Sequence, residues 1–383
     1  MHTYAEPTVT FVSGSGTILR DDAGREYLDF LSGIAVTSLG HARAEIQEAV
    51  ANQAATLLHV SNLFGNDVGP DVADLIDQLI AQAQGRHGRV FFGNSGAEAN
   101  ECALKLARKA RPGAYVVVSA LDSFHGRTLA TLAATGQPSK QAAFQPMPQG
   151  FEQVAFGDLN AITDRLSRGG VAGVLVECIQ AEGGINVPPT GYLPALQAAC
   201  REYGALFMVD EVQTGLGRTG QWFSFEHEGL TPDVVTLAKS LGNGAPVGAC
   251  WAVEEIADFF EPGDHGSTYG GQPLAMAAAR ATLTTMLAID APSLATNAGA
   301  RVRAALEVLP QVIEVRGRGL LIGIALHEPV AGAVVATCLR RGLVMNAVKA
   351  DTIRMTPPLT VSDQEIEQAI AILTAVLAEE ILL

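Results

Sequence analysis

Two strand ends carry the residues whose chemistry is most distinctive. The apolar run ALFMV (205–209) stops at Asp210, and a second run, DVVTLA (233–238), stops at Lys239. A lysine directly after a buried strand loses solvation, which disfavours its charged form and leaves a nucleophilic amine. A nearby aspartate can hold a proton on a basic ring nitrogen by charge pairing. Together these residues meet the two requirements of a pyridoxal phosphate site, a Schiff-base lysine and a partner for the pyridinium nitrogen.

Two glycine-rich loops precede helix-like stretches. GNSGAEAN (93–100) follows the run RVFF, and its small residues would let a ligand approach the backbone at a helix start, where unpaired N–H groups favour a phosphate. It lacks the Lys-Ser/Thr of a P-loop and the spacing of a dinucleotide fingerprint. In GSTYGG (266–271), Ser267 and Thr268 could donate to a phosphate or carboxylate. In both loops, simple capping of the following helix explains the polar residues equally well.

The segment SFHGRT (123–128) follows the run YVVVS and contains an aromatic ring beside an arginine. Phe124 could stack on a flat cofactor ring, and Arg127 could clamp a carboxylate. Taken alone, the segment fits a core phenylalanine and a surface ion pair better. For His125, packing or hydrogen bonding is favoured over a role as general base.

Three charged residues lie in apolar surroundings and therefore need partners. Glu177 and Glu182 belong to VLVECIQAEGG, at and just after another strand end. Glu182, beside two glycines, could form a reversible ion pair with an arginine, whereas a structural hydrogen bond is favoured for Glu177. Arg354 lies in the strand-like run IRMTPP. It suits carboxylate binding, and a buried structural ion pair is the competing interpretation.

An α/β core must position these residues. Apolar β-rich runs alternate with helical stretches, which indicates a parallel or mostly parallel sheet covered on both faces. Functional groups in such sheets gather at the carboxyl ends of the strands, where Asp210 and Lys239 fall. The predicted strands are Val90–Phe92, Tyr115–Ser119, Gly173–Cys178, Leu206–Val209, Val234–Ala238 and Gly248–Ala252, and helices are predicted at Ala97–Ala110 and Leu193–Tyr203.

The two ends of the chain differ from this pattern. Residues 21–24 (DDAG) predict a hairpin turn between ILR and EYLDF. We predict a large α/β domain over 51–285 and a smaller α+β domain assembled from 1–50 and 286–383. After residue 285 the sequence predicts a helix at 293–309, β-runs at 313–326 and a closing helix at 362–382.

Composition excludes several classes of protein. The 383 residues are 48% hydrophobic and only 17% charged, which predicts a large buried core. The net charge of −15 argues against binding a phosphate backbone, so we expect no nucleic-acid partner. Five widely spaced cysteines without a CxxC pair suggest neither a disulfide framework nor a zinc site. We therefore expect no bound metal.

The start of the chain, MHTYAEPTVT, has no apolar core flanked by basic residues, so we predict no signal peptide. No uncharged run reaches membrane-spanning length, so we expect no membrane partner. From these features we predict a cytoplasmic protein.

Read together and in order, these segments resemble the class III, fold-type-I pyridoxal phosphate aminotransferases. The resemblance runs from about Thr17 to about Val361. It implies a pyridoxal 5'-phosphate cofactor, amino-acid and 2-oxoglutarate substrates, and a homodimer with shared active sites. The motifs that carry it are NSGAEANECALKLAR, FHGRTLATLAATGQP, VDEVQTGLGRTG, TLAKSLGNGAPVGA, HGSTYGGQPLA and IRMTPPLTV.

The resemblance also implies a role for each cofactor-site residue. Lys239 would bond to the cofactor and move the substrate's α-proton, and Asp210 would pair with the pyridine nitrogen. Gln213 would hydrogen-bond the phenolic oxygen, and Phe124 would stack on the ring. The phosphate would be held by the amides of Gly96 and Ala97 and by Thr268 of the partner subunit.

For substrates, the family pattern assigns Arg127 and Ser267 to the acyl-ornithine end. Arg354 would bind the α-carboxylate of glutamate or 2-oxoglutarate, and Glu182 would mask Arg354 while the amine donor reacts. The chain departs from the usual pattern beside Glu182, where Cys178 and Ala181 replace proline and glycine. A second departure is Ala42-Arg43-Ala44, which follows Gly40-His41 where relatives commonly continue with a second histidine and a proline.

Several functions remain as alternatives. HVSNLF (59–64) and FHGRT most resemble family members that act on N2-acetyl-L-ornithine. Members acting on ornithine, 4-aminobutyrate, succinyldiaminopimelate or succinylornithine share the cofactor residues. A nucleotide-binding oxidoreductase would need a dinucleotide glycine fingerprint with an acid about 20 residues on, and we find none. A noncatalytic binding protein on this fold would be expected to lack Lys239 or Asp210.

Overall fold

The structure, a computed structural model, describes residues 1–380. Its strands are β1 Phe11–Ser15, β2 Ile18–Asp21, β3 Glu26–Asp29, β4 Gly88–Gly93, β5 Val116–Ala120, β6 Phe151–Val154, β7 Val171–Val176, β8 Leu206–Asp210, β9 Val234–Leu237, β10 Gly248–Val253, β11 Val312–Arg318, β12 Leu321–Leu326, β13 Leu343–Val344, β14 Asn346–Lys349 and β15 Thr352–Met355.

The α-helices alternate with the central strands and also cover both chain ends. They are α1 Ser32–Ala35, α2 Ala44–Thr56, α3 Gly69–Gln84, α4 Gly96–Ala110, α5 Leu129–Ala134, α6 Pro138–Gln141, α7 Leu159–Ser167, α8 Tyr192–Tyr203, α9 Glu254–Ala257, α10 Pro273–Ala288, α11 Ala291–Glu307, α12 Ala331–Arg340 and α13 Asp363–Glu380. Short 3₁₀ turns lie at Ala142–Phe144, Ser224–Glu228 and Lys239–Leu241.

A seven-stranded sheet forms the centre, in the order β4-β10-β9-β8-β7-β5-β6. The run from β9 to β6 is parallel, and β10 is antiparallel to both of its neighbours. Strands β5, β7, β8, β9 and β10 are buried along their whole length, as expected for a sheet covered by helices on both faces. The predicted α/β fold with a mostly parallel sheet is confirmed.

The register of the central sheet brings the two key strand ends together. Asp210 is the last residue of β8 and pairs with Thr236 of β9. Lys239 lies three residues beyond Thr236, at the start of a 3₁₀ turn. Because β8 and β9 are parallel neighbours, both side chains fall at the same edge of the sheet.

Each predicted central strand and helix is present, with ends shifted by at most two residues. The sequence analysis missed β6, a four-residue edge strand whose residues are only partly buried. Its mixed composition, FEQV, has neither an apolar run nor a clean alternation. The predicted closing helix ends beyond Glu380, and that last part lies outside the described residues.

The chain ends build two smaller four-stranded sheets. One has the order β1-β2-β3-β13 and contains the predicted hairpin, and β13 joins it in parallel from near the C-terminal end. The other has the order β11-β12-β15-β14. Both chain ends therefore contribute to the flanking structure, while the boundaries at 50/51 and 285/286 remain a prediction. Helix α10 runs continuously across position 285.

Among the described residues no single helix is long and apolar enough to cross a membrane. By length and composition only, α10 and α11 together would pass that test, but they meet at a 66° bend.

Candidate functional site

A cavity of about 410 Å³ lies at the carboxyl ends of β7, β8 and β9, beside the start of α4. Its walls contain Asp210 and Lys239, so the two strand ends that stand out in the sequence face one space. The predicted site residues that line it are Gly96, Ala97, Phe124, Arg127, Glu182, Asp210, Gln213 and Lys239.

Asp210 is held in place by three hydrogen bonds. Its Oδ2 accepts from Asn100 Nδ2 and faces His125 Nδ1, each at 2.8 Å, and its Oδ1 accepts from the Val212 amide at 3.0 Å. The side chain is only 4% exposed. Donors on both carboxylate oxygens fix the direction of the side chain. The site therefore contains a carboxylate held in one position beside the cavity.

A buried series of hydrogen bonds behind Asp210 includes Asn100 and Thr236, which the sequence analysis did not select. Thr236 Oγ1 donates to Asn100 Oδ1 at 2.7 Å, and Asn100 Nδ2 also reaches the His125 carbonyl at 2.8 Å. The sequence offered two signals for them: Asn100 is a polar residue on the buried face of α4, and Thr236 is a polar residue inside an apolar strand. The contact between His125 and Asp210 agrees with the hydrogen-bonding role predicted for that histidine.

Lys239 enters the cavity from a strained backbone position, with φ of +46°. Burial lowers the pKa of this lysine to about 8. Within that net value, the carboxylates of Glu182 and Asp210 act in the opposite direction to burial, whereas the Arg354 cation acts in the same direction. A large fraction of the amine is therefore neutral, and nucleophilic, near pH 8.

Glu177 is a buried carboxyl group that braces two parts of the cavity wall. It accepts hydrogen bonds from the amides of Phe124 at 3.1 Å and Ala181 at 3.2 Å. Burial raises its pKa to about 7. This geometry matches the structural hydrogen bond predicted for Glu177, which fixes both the aromatic residue and the loop that carries Glu182.

Arg354 on β15 is fully buried and forms an ion pair with Glu182 through Nη1. The same nitrogen donates to Gln213 Oε1 at 3.0 Å, and Nε donates to Asn346 Oδ1 at 3.1 Å. Nη2 has no hydrogen-bond partner among the described residues. A guanidinium with a spare donor, covered by one partly exposed glutamate, can exchange that partner for another carboxylate.

The loop carrying Glu182 is anchored by a small apolar cluster of Ile179, Ala181, Ile185 and Leu321. Ala181, where the family resemblance predicts glycine, is fully buried there. The departure from the family pattern therefore adds a packed methyl group to the base of the loop.

The start of α4 forms a concave backbone surface beside Asp210. Ser95 caps the helix by accepting from the Glu98 amide at 3.2 Å, which leaves the amides of the first helical residues, Gly96 and Ala97, without intrahelical partners. A Cβ atom on Gly96 would lie 2.8 Å from Val212 Cγ1. Only glycine allows this close approach, and the positive end of the helix dipole points at the same place.

Ser267 and Thr268, two of the predicted site residues, lie elsewhere in this chain. Ser267 Oγ accepts from Asn94 Nδ2 at 3.1 Å and from the Gly270 amide at 3.0 Å. Thr268 is exposed in a neighbouring cavity with Ser267, His265 and Tyr269. Within one chain, neither is brought together with Lys239. Their predicted roles in phosphate and substrate binding stay predictions.

Comparison with known proteins matches this chain to a described family. The sequence model for aminotransferase class-III matches residues 2–377. The acetylornithine aminotransferase of Corynebacterium efficiens is 45% identical over 386 residues, covering 99% of this chain and 95% of the relative.

Two solved structures share the fold over nearly all of both chains. The acetylornithine aminotransferase of Elizabethkingia anophelis has a TM-score of 0.86 at 31% identity, covering 99% of this chain and 96% of the other. A structure of the ornithine aminotransferase of Toxoplasma gondii, with PLP at partial occupancy in its active site, has a TM-score of 0.92 at 34% identity. It covers 99% of this chain and 93% of the other.

Proposed function

The chain belongs to the class-III aminotransferases, and we propose that it exchanges an amino group between the δ-amine of N2-acetyl-L-ornithine and 2-oxoglutarate. The products would be N-acetylglutamate semialdehyde and glutamate, in arginine biosynthesis. One observation carries the proposal. A nucleophilic lysine and a fixed carboxylate line one cavity together with Glu182, and Glu182 is the one carboxylate paired with the buried Arg354 among residues 1–380.

The residues present fit pyridoxal 5'-phosphate as the cofactor. The cofactor has an anionic phosphate, a basic ring nitrogen and an aldehyde. The glycine-lined start of α4 suits the phosphate, Asp210 suits the protonated nitrogen and the Lys239 amine suits the aldehyde. Phe124 lines the same cavity and supplies an aromatic surface. When bound, this group supplies an electron sink for the carbon from which a proton is removed.

The protein's own groups then have distinct tasks. Asp210, fixed by Asn100 and His125, keeps its negative charge toward the ring nitrogen. Lys239, once its amine is free, is the base that removes the proton from the substrate carbon and returns it in the reverse direction. A lowered lysine pKa suits this task, because a general base works best with a pKa near the operating pH.

Two substrates of different shape must use one pocket, and the Glu182–Arg354 pair offers a means. While Glu182 is paired with Arg354, the charge of the arginine is neutralised. A substrate that reacts through its δ-amine can then enter without placing its α-carboxylate on Arg354. When glutamate or 2-oxoglutarate enters, its carboxylate would replace Glu182 on Arg354. Arg127 lines the same cavity and is proposed to bind the carboxylate of the acyl-ornithine.

We propose a homodimer with shared sites. Segment 57–64 contacts loop 266–271, where Asn62 Nδ2 donates to the carbonyls of Ser267 and Gly270 at 3.0 Å each. Together the two segments form an exposed apolar surface, which we call the 57–64 patch. A second copy covering this surface would bring Thr268 and Ser267 toward the partner's cavity. Its exposed large apolar side chains are Leu57, Leu58, Leu63, Phe64 and Tyr269.

A cytoplasmic location is also proposed. All five cysteines are buried free thiols, the usual state in a reducing compartment.

The function is tested first at Lys239. The purified protein should absorb visible light through its bound cofactor, and borohydride should abolish that band by fixing the lysine–cofactor bond. Lys239→Ala should lose both the band and amino-group exchange, because the amine is then absent. Absorbance spectra and a glutamate-formation assay measure these effects, with Lys349→Ala as the control. A colourless Lys239→Ala protein with wild-type activity would refute the proposed chemistry.

A further inference from the structure

Two positively charged side chains lie against the ring of Phe124. Arg127 Cζ is 5.6 Å from the ring centroid, and Lys140 Nζ is 5.4 Å from it. Lys140 donates to Gln137 Oε1. Within residues 1–380 neither cation has a carboxylate partner. The ring of Phe124, which lines the cavity, is therefore flanked by two cations without a carboxylate partner in the described part of the chain.

The backbone fixes both cations relative to the ring. Arg127 directly precedes the N-cap of α5, and Lys140 follows α5 in the short helix α6. Gln141 Nε2 donates to the Thr135 carbonyl at 2.8 Å, which ties α6 to the end of α5. Arg127 thus precedes α5 and Lys140 follows it, and both charged groups lie close to the ring of Phe124.

Lys140 is also in an environment that disfavours its charge. Burial, followed by the nearby Arg127 cation, lowers the pKa of Lys140. Glu182 acts in the opposite direction, but its carboxylate is engaged by Arg354. A substrate carboxylate at this place would supply the missing counter-charge to both cations.

We propose that Lys140 is a specificity-determining residue that, with Arg127, binds the carboxylate of the amine substrate. This inference rests on the proposed function and deepens it. The amine donor must carry a carboxylate remote from its reacting amine, as N2-acetyl-L-ornithine does. An amine of the same length without that carboxylate would leave both cations unneutralised and bind more weakly.

Binding of N2-acetyl-L-norvaline, which keeps the carboxylate and lacks the reacting amine, tests the proposal without catalysis. Calorimetry on the cofactor-loaded enzyme should show about tenfold weaker binding to Lys140→Gln than to wild type. Lys140→Arg keeps the charge and should stay within about threefold of wild type. Arg168→Gln, which removes an exposed cation that follows helix α7 and pairs with Asp164, should bind as wild type does. Unchanged affinity in Lys140→Gln would overturn the proposal.

Half-reaction kinetics separate this role from a purely structural one. Lys140→Gln should raise the KM for N2-acetyl-L-ornithine with little change in kcat. The same variant should leave the KM for glutamate unchanged, and also the KM for N-acetyl-1,4-diaminobutane, which lacks the carboxylate. Equal effects on all three substrates would indicate damage to the fold and overturn the specificity role.

Failure of the proposed function would look different. If the wild-type enzyme rejects N2-acetyl-L-ornithine and converts ornithine, the acyl substrate is wrong. The comparison is then made between ornithine and 1,4-diaminobutane. A loss confined to the carboxylated member would still support Lys140, and equal losses would overturn it.

Discussion

Lys239 is acted on by four charged groups and by burial. Burial is the largest effect and lowers the pKa, the Arg354 cation acts in the same direction, and the carboxylates Glu182, Asp210 and Glu177 raise it, with a net pKa of about 8. Since one pKa unit corresponds to about 1.4 kcal/mol, the balance among these groups decides how much neutral amine exists at working pH. The carboxylate that covers Arg354 therefore also influences the reactive lysine.

The first prediction concerns the reactivity of Lys239 in the cofactor-free protein. Because only the neutral amine reacts, modification by trinitrobenzenesulfonate should reach half its maximal rate near pH 8. Glu182→Gln removes the carboxylate that contributes most to raising the pKa, so its midpoint should move to lower pH. Peptide mass spectrometry measures the rate at this residue. A midpoint near the value for a free lysine, about 10.4, would contradict the assigned environment.

A second residue-scale prediction concerns Glu177. Its pKa is raised to about 7 in the folded protein, so its contribution to stability is fully present below the ordinary value of 4.5 and is lost as pH rises through about 7. The free energy of unfolding of wild type relative to Glu177→Gln should therefore fall by about 3 kcal/mol between pH 4.5 and pH 8. Urea denaturation at the two pH values measures it. A pH-independent difference would show that folding does not raise the pKa of Glu177.

Most of the reactive residues could be predicted from the sequence, because strand ends and glycine-rich turns leave local signals. Asp210 and Lys239 lie directly after apolar runs, Glu182 lies in the loop beyond another strand end, and all three line the cavity. Asn100 and Thr236 could not be predicted in this way. Their partners are up to 136 positions away in the chain, so only the packed sheet reveals what they bind.

Helix α4 and its cap are the elements that shape the phosphate end of the cavity. Ser95 supplies the N-cap, and Arg108 and Lys109 in the last turn complement the helix dipole. Strand β10 lies close behind, because a Cβ on Gly248 would be 2.2 Å from the Ser95 carbonyl oxygen. The succession of apolar runs and helical stretches in the sequence predicted β10 as a strand. That succession could not predict that β10 pairs antiparallel with both β4 and β9, because the order in which strands pair depends on contacts between distant parts of the chain.

The element-scale prediction is that Gly96→Ala weakens cofactor binding. The added Cβ would lie 2.8 Å from Val212 Cγ1, so the start of α4 must shift and its amides lose alignment. We expect a dissociation constant for pyridoxal phosphate about tenfold higher, measured by fluorescence titration of the cofactor-free protein. Gly332→Ala, near the start of α12 with nothing near the added methyl, is the matched control. Equal binding by wild type and Gly96→Ala would refute the proposed phosphate site at the start of α4.

At the scale of the whole molecule, one chain holds most of a site. The cavity contains the proposed cofactor residues from α4 to Lys239, whereas Ser267 and Thr268 lie outside it beside the exposed 57–64 patch. The family resemblance predicts Thr268 in the partner's site, and this placement is compatible with that prediction. A second copy would bury apolar surface and complete two sites at once.

The whole-molecule prediction is that Leu63→Asp disrupts the dimer. Leu63 is 84% exposed in the single chain, so the substitution should leave the fold intact while placing a charge in the proposed interface. Sedimentation velocity should show a shift from dimer to monomer, with weaker cofactor retention because Thr268 no longer reaches a partner. Val308→Asp, at a residue 77% exposed at the end of α11, is the control. A stable Leu63→Asp dimer with wild-type cofactor content would refute the interface.

The measurement that tests the proposed reaction most directly is a set of half-reaction rates for the wild-type enzyme. The amines are N2-acetyl-L-ornithine, ornithine, 4-aminobutyrate, succinyldiaminopimelate and succinylornithine, each followed by the change in cofactor absorbance. We expect the highest kcat/KM for N2-acetyl-L-ornithine, by at least about tenfold over ornithine and 4-aminobutyrate, because those amines lack the acyl group. A higher kcat/KM for any other amine in the set would contradict the proposed substrate.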